Sequence, residues 1–202
     1  MGAGPMVAMT RKKRSVFAAV AAGDVDAARA LLNKPGVDVD AYDADGATLM
    51  YIAAAHGHTA MVELLADEGG ADIRKSTPPD CKALLVTHWI LDPPPQEERD
   101  AANGGACPLH IASQEERDAA NGGACPLHIA SLNGRLGTVR SLVERGADVN
   151  QLTSQGYTPL LATVYGGDAE EEAVVFLLEN GGDANCANND GATPVLVASM
   201  TG

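Results

Sequence analysis

The chain has 202 residues, 46% of them hydrophobic but only 3% aromatic, and a formal net charge of −13. Such a composition supplies a core of Ala, Leu and Val, which suits slender helices packed closely rather than a large mixed fold centred on rings. The acidic balance excludes broad phosphate-backbone binding, which needs clustered Lys and Arg, and no run of about 18 apolar residues is present to span a bilayer.

The opening Met1-Gly-Ala-Gly-Pro-Met6 has Met6 where a myristoylation motif requires Ser or Thr. Residues 1–14 are expected to be a flexible tail carrying the basic cluster Arg11-Lys-Lys-Arg14, whose readings are a nuclear address, a kinase recognition patch or merely a disordered end. Beyond it a six-residue phrase recurs: Thr48-Leu-Met-Tyr-Ile-Ala53, Cys107-Pro-Leu-His-Ile-Ala112, Cys125-Pro-Leu-His-Ile-Ala130, Thr158-Pro-Leu-Leu-Ala-Thr163 and Thr193-Pro-Val-Leu-Val-Ala198. Cys125 to Thr158 is a step of 33 residues and Thr158 to Thr193 one of 35, the period of a stacked helical repeat.

Taken in order, the units read as 15–46, 47–80, an irregular 81–124, 125–157, 158–191 and an incomplete 192–202. The phrase starts a helix: the Thr158 hydroxyl can accept an amide of the first turn, and Pro159 sits where its missing N–H costs nothing. A second helix follows in each unit, marked by apolar stripes at Ala28, Leu31, Leu32; Met61, Leu64, Leu65; Val139, Leu142, Val143; and Val174, Leu177, Leu178. Gly23-Asp24, Gly57-His58, Gly134-Arg135 and Gly167-Asp168 lie between the two helices, and Gly36, Gly69-Gly70, Gly146 and Gly181-Gly182 end the second. The ten residues from Asp38, Asp148 and Asp183 to the next phrase are polar and predict an extended finger or hairpin.

Two stretches break the pattern. Gln96–Ser113 is repeated without change as Gln114–Ser131, a step too short for a two-helix unit. The second copy continues into a complete unit and is assigned to the stack; the first either loops out or, in the preferred reading, forms a helix over Pro108–Ala120. Cys81–Leu91 is assigned to the first-helix place of a degenerate unit closed by Pro93-Pro-Pro95, with Trp89 packed there. After Gly202 no second helix follows, so the chain reads as a fragment or as having a frayed end.

With its T-P-L-H-x-A phrase, paired helices, Gly57-His58 followed by Val62-Glu-Leu-Leu65, and Gly146-Ala-Asp-Val-Asn150, the sequence resembles the ankyrin repeat family over roughly residues 15 to 202. The resemblance implies an all-α helix-turn-helix solenoid with short finger loops, binding proteins through its finger tips and inner helix face. It also implies that His110 and His128 tie units together by hydrogen-bonding neighbouring backbone, and it accounts for His58 by the turn, against a zinc reading of His56 and His58.

No nucleophile elbow or phosphate loop is present, so the reading is a non-catalytic scaffold without metal or cofactor. Glu170-Glu-Glu172 is read as a solvated run that complements a helix dipole. By the resemblance, the partner contacts are the finger residues Asp43, Asp45, Gln151, Thr153, Gln155, Asn188 and Asn189, with Ala55, His56, Leu132, Asn133 and Tyr165 as exposed first-helix places. The expected partner is a protein, basic to suit the acidic fingers, with no nucleic acid and no membrane, and the chain is expected to be monomeric. Four Cys without a CxxC or paired framework fit reduced thiols in the cytoplasm or nucleus. The alternative reading is a regulatory or targeting segment of a larger enzyme or channel.

Overall fold

The computed structural model describes residues 11–78, 123–166 and 171–201. Helices come in pairs: α1 (Arg11–Ala21) with α2 (Val25–Leu32), α3 (Leu49–His56) with α4 (Thr59–Glu63), α5 (Pro126–Leu132) with α6 (Leu136–Glu144), and α7 (Pro159–Tyr165) with α8 (Glu171–Glu179). They are followed by α9 (Pro194–Thr201). No strand occurs among the described residues. Of the expected extended finger or hairpin, the fingers take the form of short turns closed by backbone bonds, such as Asp43 N–H to the Ala47 carbonyl at 2.8 Å.

Local chemistry sets the helix starts. The hydroxyls of Thr48, Thr158 and Thr193 accept from Tyr51, Leu161 and Leu196 N–H at 3.1, 3.1 and 3.2 Å, and Asp24 accepts from Ala27 N–H at 2.9 Å to start α2. Such caps contribute about 1 kcal/mol each. Gly23 ends the first turn at φ 71°, and the His58 ring lies so near that an added Cβ would meet its Cε1 at 2.9 Å. The Arg135 side chain covers Gly57 in the same way, so the residue after each of these turns seals the turn of the preceding unit.

The helices form two layers. First helices run α1, α3, α5, α7, α9, each packed on the next, while α4, α6 and α8 form a second row behind them. Between the layers lies one apolar core, with Val20, Leu49, Met50, Leu127, Ile129 and Leu160 from the first layer facing Ala28, Val62, Leu65, Val139, Leu142 and Leu177 from the second. Burial of each large aliphatic side chain is worth about 1.5–3 kcal/mol, and no helix pair could collect it without a neighbour. Beyond Leu160, a smaller cluster of Leu161, Tyr165 and Val197 joins α7 to α9.

Three details depart from the reading of the sequence. Helix α1 begins at Arg11, so Arg11–Arg14 forms its first turn where a tail was expected. In the second unit α4 widens into a π-helical turn over Leu64–Glu68, absorbing one extra residue: Ala71 N–H reaches back to Leu65, where Ala147 N–H reaches Leu142. The stripes therefore align one residue differently from the expectation. Val62 and Leu65 take the places of Val139 and Leu142, while Met61 and Leu64, also buried, match Thr138 and Ser141.

The third departure concerns the interval between units two and three. Helix α5, built from the second copy of the duplicated segment, packs directly on α3, and no layer intervenes. Thr77 N–H donates to the Ala124 carbonyl at 2.9 Å and Gly123 N–H to the Thr77 carbonyl at 3.0 Å. This is the finger closure made elsewhere by Asp43 with Ala47, Thr153 with Tyr157 and Asn188 with Ala192. Those fingers hold three residues between the closing pair, ending in Gly46, Gly156 and Gly191 at φ 77–87°; here Pro78 to Gly123, with Gly123 at φ 79°, fill the same gap. All but the last two residues of the degenerate unit expected at 81–124, the Cys81–Leu91 helix and the helix expected over 108–120 lie outside the described residues.

Because residues 77 and 124 meet whatever separates them, a variant lacking Gln96–Ser113 should keep the stack. Shortening the closed interval from 46 to 28 residues favours closure by about 0.4 kcal/mol from chain entropy. Circular dichroism should show the same cooperative transition with a thermal midpoint unchanged or slightly raised; a lowered midpoint would mean the first copy supports the stack.

Candidate partner-binding face

Each finger is fastened at its base by one polar side chain. Asp43 accepts from Ala47 N–H at 2.8 Å and Asp45 N–H at 2.9 Å, and Asn188 accepts from Ala192 N–H at 2.8 Å and Asp190 N–H at 3.1 Å. Thr153 accepts from Tyr157 N–H at 3.1 Å, and Thr77 from Ala124 N–H at 3.2 Å. Partial burial pushes the Asp43 carboxyl above the usual carboxylate range, opposed by the backbone donors that favour its charged form.

The fingers are also tied to one another. Asp40 accepts from Asp72 N–H at 2.9 Å, Arg74 donates to the Gly146 carbonyl at 3.0 Å, and Asn150 accepts from Asp183 N–H while donating to the Gly181 carbonyl. Behind them, Arg29 pairs with Glu68 at 2.9 Å and Arg145 with Asp67 at 2.8 Å, joining neighbouring second helices. These ion pairs are exposed and add little stability.

The structure divides the twelve expected contact residues. Asp45 and Asn189 are exposed at finger tips, and Gln151 and Gln155 are half-buried beside them. His56, Leu132 and Asn133 are half-buried along the first helices; Asn133 donates to the Ala55 carbonyl at 3.0 Å and His56 bonds the Ile52 carbonyl at 2.9 Å. The expected exposure of Ala55 and Tyr165 is corrected: both are buried, Ala55 because α5 lies against α3, Tyr165 because it packs on Tyr157 and joins Leu161 and Val197. Thr153 and Asn188 are likewise buried, and Asp43 half-buried, because they fasten the fingers.

Sequence reasoning passed over two apolar side chains, Tyr42 and Leu152, each exposed immediately before a fastening residue. Lys75 sits over the Tyr42 ring at 4.9 Å, and Tyr42 donates to the Ser76 carbonyl at 3.0 Å. Their shared position one residue before Asp43 and Thr153 was the signal available in the sequence.

His128 shows how units are locked. Its Nε2 bonds the Tyr157 carbonyl of the next finger at 2.9 Å, while Nδ1 accepts from Cys125 N–H at 3.2 Å and lies 3.0 Å from the Cys125 Sγ. Burial by itself would raise the thiol and lower the imidazole, but their mutual attraction outweighs it, so the Cys125 pKa falls and the His128 pKa rises. Such a pair has the reach of a nucleophile and base, yet both groups are sealed inside the stack and Nδ1 is engaged as a helix cap.

His56 and His58 stack at 5.6 Å, but each ring is held by a backbone carbonyl, His58 by Ala21 at 3.2 Å. Among the described residues no group of three or more His, Cys, Asp or Glu is arranged to hold a metal ion. A shallow groove of about 230 Å³ between α6 and α8 is lined by Arg140, Glu172, Phe176 and Glu179, with the Arg140 guanidinium over the Phe176 ring at 4.7 Å. No helix among the described residues is long and apolar enough to cross a membrane.

Residues 16–66 match a family described as ankyrin repeats in many copies, and residues 127–202 one described as ankyrin repeats in three copies; together they cover more than half of the chain. No curated protein matches the sequence.

Asn188 makes with a neutral amide the two bonds that Asp43 makes with a carboxylate. Asp43→Asn should therefore leave the thermal midpoint unchanged or raise it, whereas Asp43→Ala should cost about 1–2 kcal/mol by urea unfolding. A raised acid pKa in the folded state means that this group favours folding when protonated and loses that contribution as pH rises through its folded pKa. Asp43→Asn should accordingly flatten the fall in stability across the carboxylate range.

Proposed function

Because this chain belongs to the ankyrin repeat family, a family of protein–protein interaction modules, we propose that it is a non-catalytic scaffold that takes a protein partner across its finger tips and inner helix face. The observation that carries this reading is the contrast within the three fingers described from base to tip. Bases are fastened by Asp43, Thr77, Thr153 and Asn188 and tied laterally through Asp40, Arg74 and Asn150, while Asp45, Ser154, Asn189 and Asp190 stand exposed at the tips beside Tyr42 and Leu152. A surface ordered in advance loses less entropy on association. The aromatic and aliphatic side chains supply apolar contact, and the polar tips supply direction.

The partner we propose is basic. Asp45 and Asp190 occupy the same tip position in fingers one and four, and the net charge of −13 adds long-range attraction. Free Cys125 and Cys186 suit a reducing compartment, so the cytoplasm or nucleus is the proposed location.

Affinity capture with the full chain, read by mass spectrometry against the double variant Asp45→Lys/Asp190→Lys, tests this. The variant should keep its circular dichroism spectrum and lose the wild-type partners. For a captured partner, association should slow on the order of tenfold as salt is raised. Partners retained by the variant, with a salt-independent on-rate, would refute the proposed face.

A further inference from the structure

Helix α5 owes its place in the stack to residues that the chain contains twice. Its buried positions, 126–131, fall within the second copy, residues 114–131, as do Ala124 and Cys125 just before it. The first copy, residues 96–113, carries the same side chains in the same order, so that Leu109, His110 and Ile111 correspond to Leu127, His128 and Ile129. The packing of α5 on α3 and α7, the His128 bond to the Tyr157 carbonyl and the bonds between Thr77 and Ala124 all draw on this shared sequence.

What distinguishes the copies is the sequence that follows them. The second continues as Leu132-Asn-Gly-Arg135 and the first as Gln114-Glu-Glu-Arg117. Leu132 packs on the core, Asn133 donates to the Ala55 carbonyl at 3.0 Å, and Gly134 turns the chain towards α6 at φ 61°. Gln114, Glu115 and Glu116 hold the corresponding places after the first copy, and Arg comes next in both. The advantage of the second copy thus lies in a few contacts at one turn.

Loops on both sides permit an exchange. On the finger side, Thr77 clasps the residue before the phrase, which is Ala124 with the second copy and Ala106 with the first, and the interval shortens by 18 residues, the step between copies. On the other side α6 keeps its place while the turn after α5, residues 133–135, lengthens by the same 18 residues; that turn is not buried. Closure entropy grows only logarithmically with loop length, so neither change forbids the move. We propose that the two copies compete for one place, the second dominant and the first occupying it on the order of 0.1–10% of the time. The chain thereby carries a spare for α5. A lesion confined to the second copy lowers stability by no more than the difference between the two arrangements, because the intact copy takes over. This exchange stands apart from the partner-binding reading.

Leu127→Asp puts a carboxylate into the core, and in a chain lacking residues 96–113 it should abolish the cooperative unfolding transition. In the full chain the same substitution should lower the thermal midpoint yet leave a cooperative transition. Leu109→Asp alone should leave the wild-type midpoint, and the two substitutions together should behave as the shortened variant does. Thiol labelling with tryptic mapping reports which copy is in place, since Cys125 lies in the peptide 118–135 and Cys107 in 100–117. In wild-type protein Cys125, 1% exposed, should be protected. In Leu127→Asp its labelling should quicken by about tenfold or more, and protection should pass to Cys107. A full chain carrying Leu127→Asp that unfolds as completely as its shortened counterpart would overturn the proposal, as would protection that stays with Cys125 or passes to neither thiol.

Discussion

Everything in this molecule depends on the close approach of consecutive first helices. Ala53, Ala54, Ala130 and Ser131 are fully buried where α3 meets α5, and at such positions a small side chain lets two backbones come near enough for Asn133 to reach the Ala55 carbonyl. That spacing in turn lets His58 and Arg135 lie over the turn glycines and His128 reach the next finger. A bulky side chain at Ala54 or Ala130 would push the units apart and break those bonds together, because interiors this tightly packed yield little to added volume. The scarcity of aromatic residues is the compositional trace of the same constraint.

Polar groups do a different task from the apolar core. Thr48, Thr158 and Thr193 start helices, Asp43, Thr153 and Asn188 hold fingers, and Asn150 links one finger to the next. Asp43, Thr153 and Asn188 turn their polar atoms to the finger backbone, so less of each finger is exposed than its polar sequence implies. Cys125 stands where the other units have Thr and still closes its cap, through the thiol and the His128 ring.

Much of the fold was legible because it is periodic. The phrase beginning at Thr158, the stripe through Leu142 and the glycine after each second helix carry their structural reasons locally. What was not legible depends on packing across units. The exposure of Ala55 and Tyr165 could not be judged without knowing how closely the next helix lies. The extra residue in the second unit could not be placed from spacing alone, since Met61 and Val62 are both apolar and both buried. The two identical copies could not be told apart by local propensity; the second enters the stack because it continues into Val139 and Leu142, which fill the core behind α5. Along the fingers, the exposure of Tyr42 and Leu152 was not legible either, since an apolar residue beside a polar tip reads equally well as core.

The joint between Thr77 and Ala124 separates length from register. In the first helices an inserted residue would rotate every following side chain by a fraction of a turn and empty the contacts on both sides. Where two ends are clasped to each other, the number of intervening residues has no lever on the helices. A change of length between the clasped ends leaves the register of the helices on either side as it is, which makes the clasp a port where this architecture can take up sequence without rebuilding its interior.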